Sequence, residues 1–356
     1  MVIPMTGAAM DAWEFIKNEV VRFLGAGQLL EMLADGDYRV LLTHDGLVSF
    51  LYMVIPVLLV IELLRAALTR TFKLEDWKIP FITMFANRFI GAVISVGLVG
   101  FSIAVFQPYA PFQVDIGWLG LVYGYIVWEF SHFIYHFLAH KVRLFWCLHS
   151  THHAPHQMNL SVNQAHIFLE GPYADIIRTS ICMLAGVSPP LLIMIMFIDG
   201  FWGQAIHLGE GVLKDGRFGF LHKWILTPAH HRVHHAKNVE YMDTNFCNLL
   251  NIWDRVFRTY QPQVEGVKFE YGITRPIKPG SFLDAYFGEF YYLGKDVALA
   301  PGWKNKLLYL VMPPGWSHDG NHKTTKVAKA ALRAQQACEA AAATHGAAGS
   351  RTGLPA

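Results

Sequence analysis

The chain is short of charge and short of cysteine. Only 16% of its 356 residues are Asp, Glu, Lys or Arg, while 53% are hydrophobic. That is apolar beside an ordinary soluble protein. Basic and acidic residues nearly balance, 29 against 27, for a formal charge of +2. A nucleic-acid binder carries a basic footprint, and none is present, so no nucleic-acid partner is expected. The four cysteines, Cys147, Cys182, Cys247 and Cys338, are scattered and form no C-x-x-C pair. This speaks against a disulfide scaffold or a thiolate metal knot, and reduced thiols are expected. Motifs for flavin, haem and cysteine-ligated iron–sulfur clusters are missing, as is the H-E-x-x-H helix of zinc proteases.

Long apolar runs are what the chain has instead. Leu47–Leu64 reads "LVSFLYMVIPVLLVIELL", Pro80–Phe106 carries only Arg88, and Ile116–Leu138 carries Glu129 with histidines near its end. Each is long enough to suggest a membrane helix. A fourth region, Thr179–Leu208, is interrupted by Ser188, Pro189 and Pro190 and carries Asp199. Paired prolines punctuate helices, so this region reads as a hairpin of two shorter ones. Upstream, Trp13, Ile16, Val20, Phe23 and Leu24 fall at helical spacing in a charged stretch, which reads as an amphipathic helix rather than a signal peptide.

Charges orient the spans. Arg65, Arg70, Lys73 and Lys78 lie between the first two runs, whereas the link "QPYAPFQVD" has no basic residue. The positive-inside rule makes the first link cytoplasmic, which puts the ends of the later helices on that same side. The expected fold is all-α: a polytopic membrane helix bundle with a cytoplasmic-side helical cap. The expected divisions are an N-terminal segment (1–45), two transmembrane helices (46–114), a catalytic region (115–262), a C-terminal cap (263–322) and an Ala-rich tail (323–356), helical first and disordered at its end. The Ala-rich tail and the lack of an endoplasmic-reticulum retrieval signal point to a bacterial inner membrane.

Fourteen of the eighteen histidines lie between His132 and His235. "HFLAH" spaces His136 and His140 by four. "HSTHH" gives His149, His152 and His153, and "HRVHH" gives His231, His234 and His235, both at i, i+3 and i+4. On a helix these positions share a face, so each motif can aim two or three imidazoles at a common point. Neutral imidazole is a common metal ligand, and eight of them exceed what one ion takes. A histidine-rich dimetal site is expected. His230 sits about a quarter turn off its motif's face, which predicts a capping or supporting role. His132 lies one turn before His136, His166 is open between a supporting and a structural role, and His156 and His222 read as surface or interfacial.

These motifs in a polytopic chain resemble the fatty acid hydroxylase and sterol desaturase superfamily. The resemblance runs from Glu129 to Tyr260. It includes "LFWCLHSTHHAPHQMNLS" with Asn159, and the tail after the third motif with Asp243, Asn245, Trp253, Asp254 and Arg255. It implies O2-dependent hydroxylation or desaturation of a lipid at a di-iron centre. The implied ligands are His136, His140, His149, His152, His153, His231, His234 and His235. A further family histidine before the third motif corresponds to His207. Phe137 stands where many members carry Arg, Glu129 where many carry Asp, and Gly211 where one branch carries a second histidine.

The leading expectation is a di-iron lipid monooxygenase or hydroxylase acting on a sterol, fatty acyl chain or ether lipid. Electrons would come from a separate ferredoxin, cytochrome b5 or reductase, docking on a basic face around Arg232, Lys237 and Lys141. The alternative is a zinc-dependent membrane lipid hydrolase using the same histidines. A metal transporter needs ionisable groups at mid-membrane depth, and these histidines sit at helix ends.

Overall fold

The computed structural model describes residues 34, 36, 44–278 and 280–349. The expected amphipathic helix near Trp13 and the last residues of the tail lie outside them. The chain divides into two units, residues 1–72 and 73–356.

The first unit contributes helix α1, His44–Leu68, with Pro56 inside it and Arg65 in its last turn. The basic side chain there complements the carbonyl end of the helix dipole.

The second unit holds the remaining described helices: α2 (Leu74–Phe106), α3 (Trp118–Lys141), α4 (Arg143–His153), α5 (Glu170–Leu184), α6 (Pro189–Ala205), α7 (Pro228–His235), α8 (Ile252–Val256), α9 (Phe282–Leu299), α10 (Gly302–Val311) and α11 (Thr325–Gly349). Among the described residues there is no strand, only three isolated bridges. The all-α expectation agrees with this, and α11 runs through most of the Ala-rich tail.

Helix starts follow local chemistry. Glu75 and Asp76 fill the first turn of α2, where backbone N–H groups favour negative charge. Pro189 opens α6 at a position where its missing N–H costs nothing. The hairpin expected at Ser188–Pro190 is therefore present. Gly186 makes the corner with φ +79°, and a Cβ there would meet the Phe112 carbonyl oxygen at 2.4 Å. Val114 pins this corner by donating to the Gly186 carbonyl and accepting from Ser188.

Helix α3 is central and packs on α4, α5 and α6, while α2 lies along α5. Trp128, Met183, Leu191, Leu192 and Ile195 fill the space between α3, α5 and α6. Close approach there needs Gly124, whose Cβ would fall 2.7 Å from Ile195 Cδ1. Cys147, Leu293, Ala300 and Tyr309 tie α4 to α9 and α10.

Among the described residues, no helix is long and apolar enough to cross a membrane. The three runs expected as membrane helices are therefore not seen as such, and the fourth region is the expected hairpin of two shorter helices. Two physical reasons are visible. Helix α3 interrupts its apolar run with Glu129, His132, His136 and His140. The fourth region splits into helices of 15 and 17 residues, too short at 1.5 Å per residue for a hydrocarbon core of about 30 Å.

Candidate metal centre

Four elements carry the histidines. His136 and His140 stand one turn apart on α3. Helix α4 turns off α3 at Val142, which is extended, and ends in His149, His152 and His153. His207 follows the end of α6. Helix α7 starts with Thr227 as its N-cap and Pro228 in its first turn, and carries His231, His234 and His235.

Nine buried histidines form two groups. His136, His140, His149, His153 and His234 make the first, and His152, His207, His231 and His235 the second. Within each group the candidate ligand atoms lie within 4.8 Å of one another. The pairs His136–His149 and His153–His149 bring Nε2 atoms to 3.1 Å. His207 Nε2 lies 3.2 Å from that of His152 and 2.8 Å from that of His231, and His235 Nε2 lies 3.0 Å from that of His231.

Each H-x-x-H-H motif aims two of its three imidazoles at one point. Both motifs are thus divided. His149 and His153 fall in the first group and His152 in the second; His231 and His235 fall in the second group and His234 in the first. At about 100° per residue, i and i+4 differ by about 40°, while i+3 lies about 60° the other way. The i, i+4 pairs therefore stay together and the i+3 residues cross over.

The second ring nitrogens show what the first are for. His136 Nδ1 donates to the Phe246 carbonyl at 2.9 Å, His234 Nδ1 to that of Thr244 at 2.8 Å, and His207 Nδ1 to that of Gly203 at 2.6 Å. A carbonyl can only accept, so in each neutral ring the proton sits on Nδ1 and Nε2 is a lone pair. His149 Nδ1 bonds Glu170 Oε1, and His140 Nδ1 lies 3.5 Å from Asp243. Inward Nε2 atoms of His140 and His234 have no hydrogen-bond partner. Burial pushes His152, His153, His231, His234 and His235 well below their usual 6.5, and neighbouring imidazoles push the same way. Lone pairs converging in a buried, uncharged cluster repel unless a cation lies between them, so the donor set fits bound metal.

Three carboxylates fix the frame. Glu170 takes His149 and, at 2.6 Å, His166 Nδ1, and accepts from the Tyr135 hydroxyl at 2.8 Å. Burial works to raise its pKa, but His166 and His149 outweigh it and hold the carboxyl well below the usual range. Glu129 accepts three backbone N–H groups, from Asn248, Leu249 and Leu250, and Asp254 accepts those of Phe246 and Cys247. Together Glu129 and Asp254 hold the segment whose Phe246 carbonyl orients His136. Spacing alone marked Glu129 only as a charge in an apolar run and gave Glu170 no role. The carbonyls of Gly203, Thr244 and Phe246 carry no side-chain signal and were invisible to it.

Other histidines sort by contact. His230 lies in neither group: Thr227 N donates to its Nδ1, its Nε2 lies 2.8 Å from the Tyr260 hydroxyl, and its ring stacks on His222 at 4.0 Å. That is the capping role expected for it. His166 stacks on His152 at 4.2 Å, and His156 is exposed. Arg232 does not belong to the expected docking face. It is buried, and donates to the carbonyls of Leu208, Leu213 and Lys214. Lys141 is held by Asp243.

Two cavities meet the histidines. One, of about 430 Å³, reaches His136, His149, His152, His207 and His231. The other, of about 700 Å³, reaches His140, His153, His234 and His235 and is walled partly by residues 272–328.

Residues 121–259 match the family model described as fatty acid hydroxylase. This segment holds all nine clustered histidines, and the match agrees with the resemblance read from the motifs and supports the fatty acid hydroxylase superfamily. Alkylglycerol monooxygenase of Xenopus tropicalis is 31% identical over 193 residues, covering 53% of this chain and 40% of that protein. The Homo sapiens alkylglycerol monooxygenase is 30% identical over 196 residues, with the same coverage. Ornithine lipid hydroxylase OlsE of Rhizobium tropici is 26% identical over 160 residues, covering 45% and 47%. The chain thus spans about two fifths of the monooxygenases it matches. No solved structure matches it.

Proposed function

We propose that the nine histidines hold two iron ions and that the chain is an O2-dependent lipid monooxygenase. The carrying observation is the pair of buried, all-imidazole groups, five and four strong. Histidine-only donors suit a redox metal. A hydrolase usually sets a base beside its metal-bound water, and the two carboxylates that contact clustered histidines are already engaged, Glu170 by His149 and His166 and Asp243 by His140 and Lys141. This favours oxidation over hydrolysis.

The iron pair would supply O2 activation and the power to cleave an unactivated C–H bond. In balance, a C–H becomes C–OH, one oxygen atom of O2 enters the product, and the other leaves as water with two protons and two external electrons. The residues of the chain position and protect. Carbonyls of Phe246, Thr244 and Gly203 lock three rings, Glu170 locks His149, and burial excludes water. Desaturation is the same chemistry ending in loss of a second hydrogen, decided by the placement of one carbon.

The names of the relatives point to an ether lipid or an aminolipid as substrate. The proposed setting is a bilayer, a bacterial cytoplasmic membrane with the site on the cytoplasmic side. Large apolar side chains exposed on α2, α3 and α6 support contact with lipid: Val93, Val96, Phe101, Leu119 and Ile193. Electrons would come from a separate ferredoxin, cytochrome b5 or reductase.

Metal analysis of the purified chain tests this, together with O2 uptake coupled to hydroxylated product on a panel of ether, amino and sterol lipids. Two irons per chain and O2-dependent product are expected, both lost in His152→Ala and His234→Ala. Zinc with O2-independent turnover overturns the reading, as does full activity in either variant.

A further inference from the structure

Both cavities that touch the histidines mix apolar lining with buried polar and charged side chains, more than a hydrocarbon chain alone needs. The smaller one sets His132, Asp199, Gln204 and Asn163 beside His136 and His207. The larger one carries Arg143, Lys237, Arg275, Glu289 and Asp296 beside His153 and His235. An apolar groove does exist, about 510 Å³ between Leu121, Ile126, Trp224, Leu249 and Val256. None of the nine clustered histidines lines it.

His132 marks where a polar ligand would bind. It sits one turn before His136 on α3, with ring centroids 5.6 Å apart. Its Nδ1 is buried and has no hydrogen-bond partner. Asp199, itself 4% exposed, lies 3.9 Å from that nitrogen and accepts from Asn248 at 2.7 Å. A buried imidazole nitrogen without a partner costs free energy, and an alkyl chain cannot relieve it. A hydroxyl can, because it donates to one group and accepts from another.

The neighbouring charges narrow the ligand. Arg178 is the cavity's cation, but it is committed to Asp175 at 2.7 Å and lies over the Trp128 ring at 5.0 Å. Asp199 and Glu170 also line this cavity, so an anionic headgroup would meet carboxylates rather than a free cation.

We infer that the smaller cavity receives the polar end of the substrate, an uncharged hydroxyl-bearing headgroup, with His132 and Asp199 as specificity-determining residues. This rests on the monooxygenase reading and deepens it. The carbon presented to the histidine groups is then the one nearest the head, not one far along the tail. The step is unchanged: C–H becomes C–OH, one O2 atom enters the product, and the other leaves as water with two protons and two electrons from the external donor.

The test is binding of hexadecyl glyceryl ether, its doubly O-methylated form and hexadecylamine to the detergent-solubilised full chain. Iron content is measured on every sample. The wild type is expected to bind the free diol roughly tenfold more tightly than the methylated lipid. His132→Phe and Asp199→Asn should each remove most of that preference, with unchanged iron and unchanged affinity for the methylated lipid. Equal binding of diol and methylated lipid by iron-loaded protein overturns the headgroup assignment alone. So does a preference for the amine, or a preference for the diol that survives in both variants. Protein that holds no iron and binds no lipid overturns the monooxygenase reading with it.

Discussion

His136 Nε2 and His149 Nε2 stand 3.1 Å apart, and each ring engages an acceptor through its other nitrogen, the Phe246 carbonyl for one and Glu170 for the other. With both rings neutral, as metal ligation requires, the contact is two lone pairs facing each other rather than a hydrogen bond. The Phe246 carbonyl and Glu170 thus leave the two facing nitrogens suited to a cation.

His230 and His231 are neighbours with separate duties. His231 belongs to the second group, while His230 caps α7 through Thr227. His231→Gln should lose metal, and His230→Gln should keep it, because Gln at this position completes the same capping box. His230→Ala should keep metal at a stability cost of about 1 kcal/mol. Metal content by elemental analysis and thermal unfolding check both, and equal metal loss in the two Gln variants counts against the distinction.

Glu170 orients His149 and His166 from one carboxylate. In Glu170→Gln an amide N–H replaces one acceptor oxygen and opposes a donor. Metal affinity should fall about 10–100-fold. Competition against a chromophoric chelator measures it, and unchanged affinity would show that Glu170 does not position the ring.

Acid should weaken the metal-free protein. His152, His153, His231, His234 and His235 are held well below 6.5 by burial. The unfolded chain titrates near 6.5 and so binds more protons than the folded chain below that pH. Stability is full above 6.5 and declines as pH falls beneath it. Unfolding temperatures of chelator-treated protein from about pH 8 to pH 5 should show this fall; a flat profile contradicts neutral buried imidazoles.

Glu129 is a structural anchor, since its carboxylate accepts from Asn248, Leu249 and Leu250. Glu129→Ala leaves three backbone donors without their acceptor and should cost about 3 kcal/mol or more. Glu129→Gln keeps one oxygen and should cost less. Unfolding midpoints of the two variants give the order, and the reverse order removes the anchoring role.

Arg232 is the residue the sequence misplaced most clearly. Arginine between two histidine pairs looks like a surface charge, but three carbonyls of the 208–214 segment draw its guanidinium inside. Arg232→Ala should therefore lower the unfolding temperature and leave the affinity for an electron donor unchanged in the protein that remains folded. Weaker donor binding at unchanged stability would restore the docking role.

Spacing along the chain determined a good deal. The i, i+4 separations of His136–His140, His149–His153 and His231–His235 fix that each pair shares a helix face, because helical geometry is local. The Ser188–Pro190 break and the off-face position of His230 follow from the same local rules. Only the tertiary structure decided how the nine histidines are shared. His152 leaves its own motif to join His207, and His234 leaves its own to join His136 and His140. That partition depends on how α3, α4, α6 and α7 approach one another, which sequence spacing does not encode. The same holds for the backbone carbonyls that set the rings. Every residue has a carbonyl, and only packing decides which ones face an imidazole.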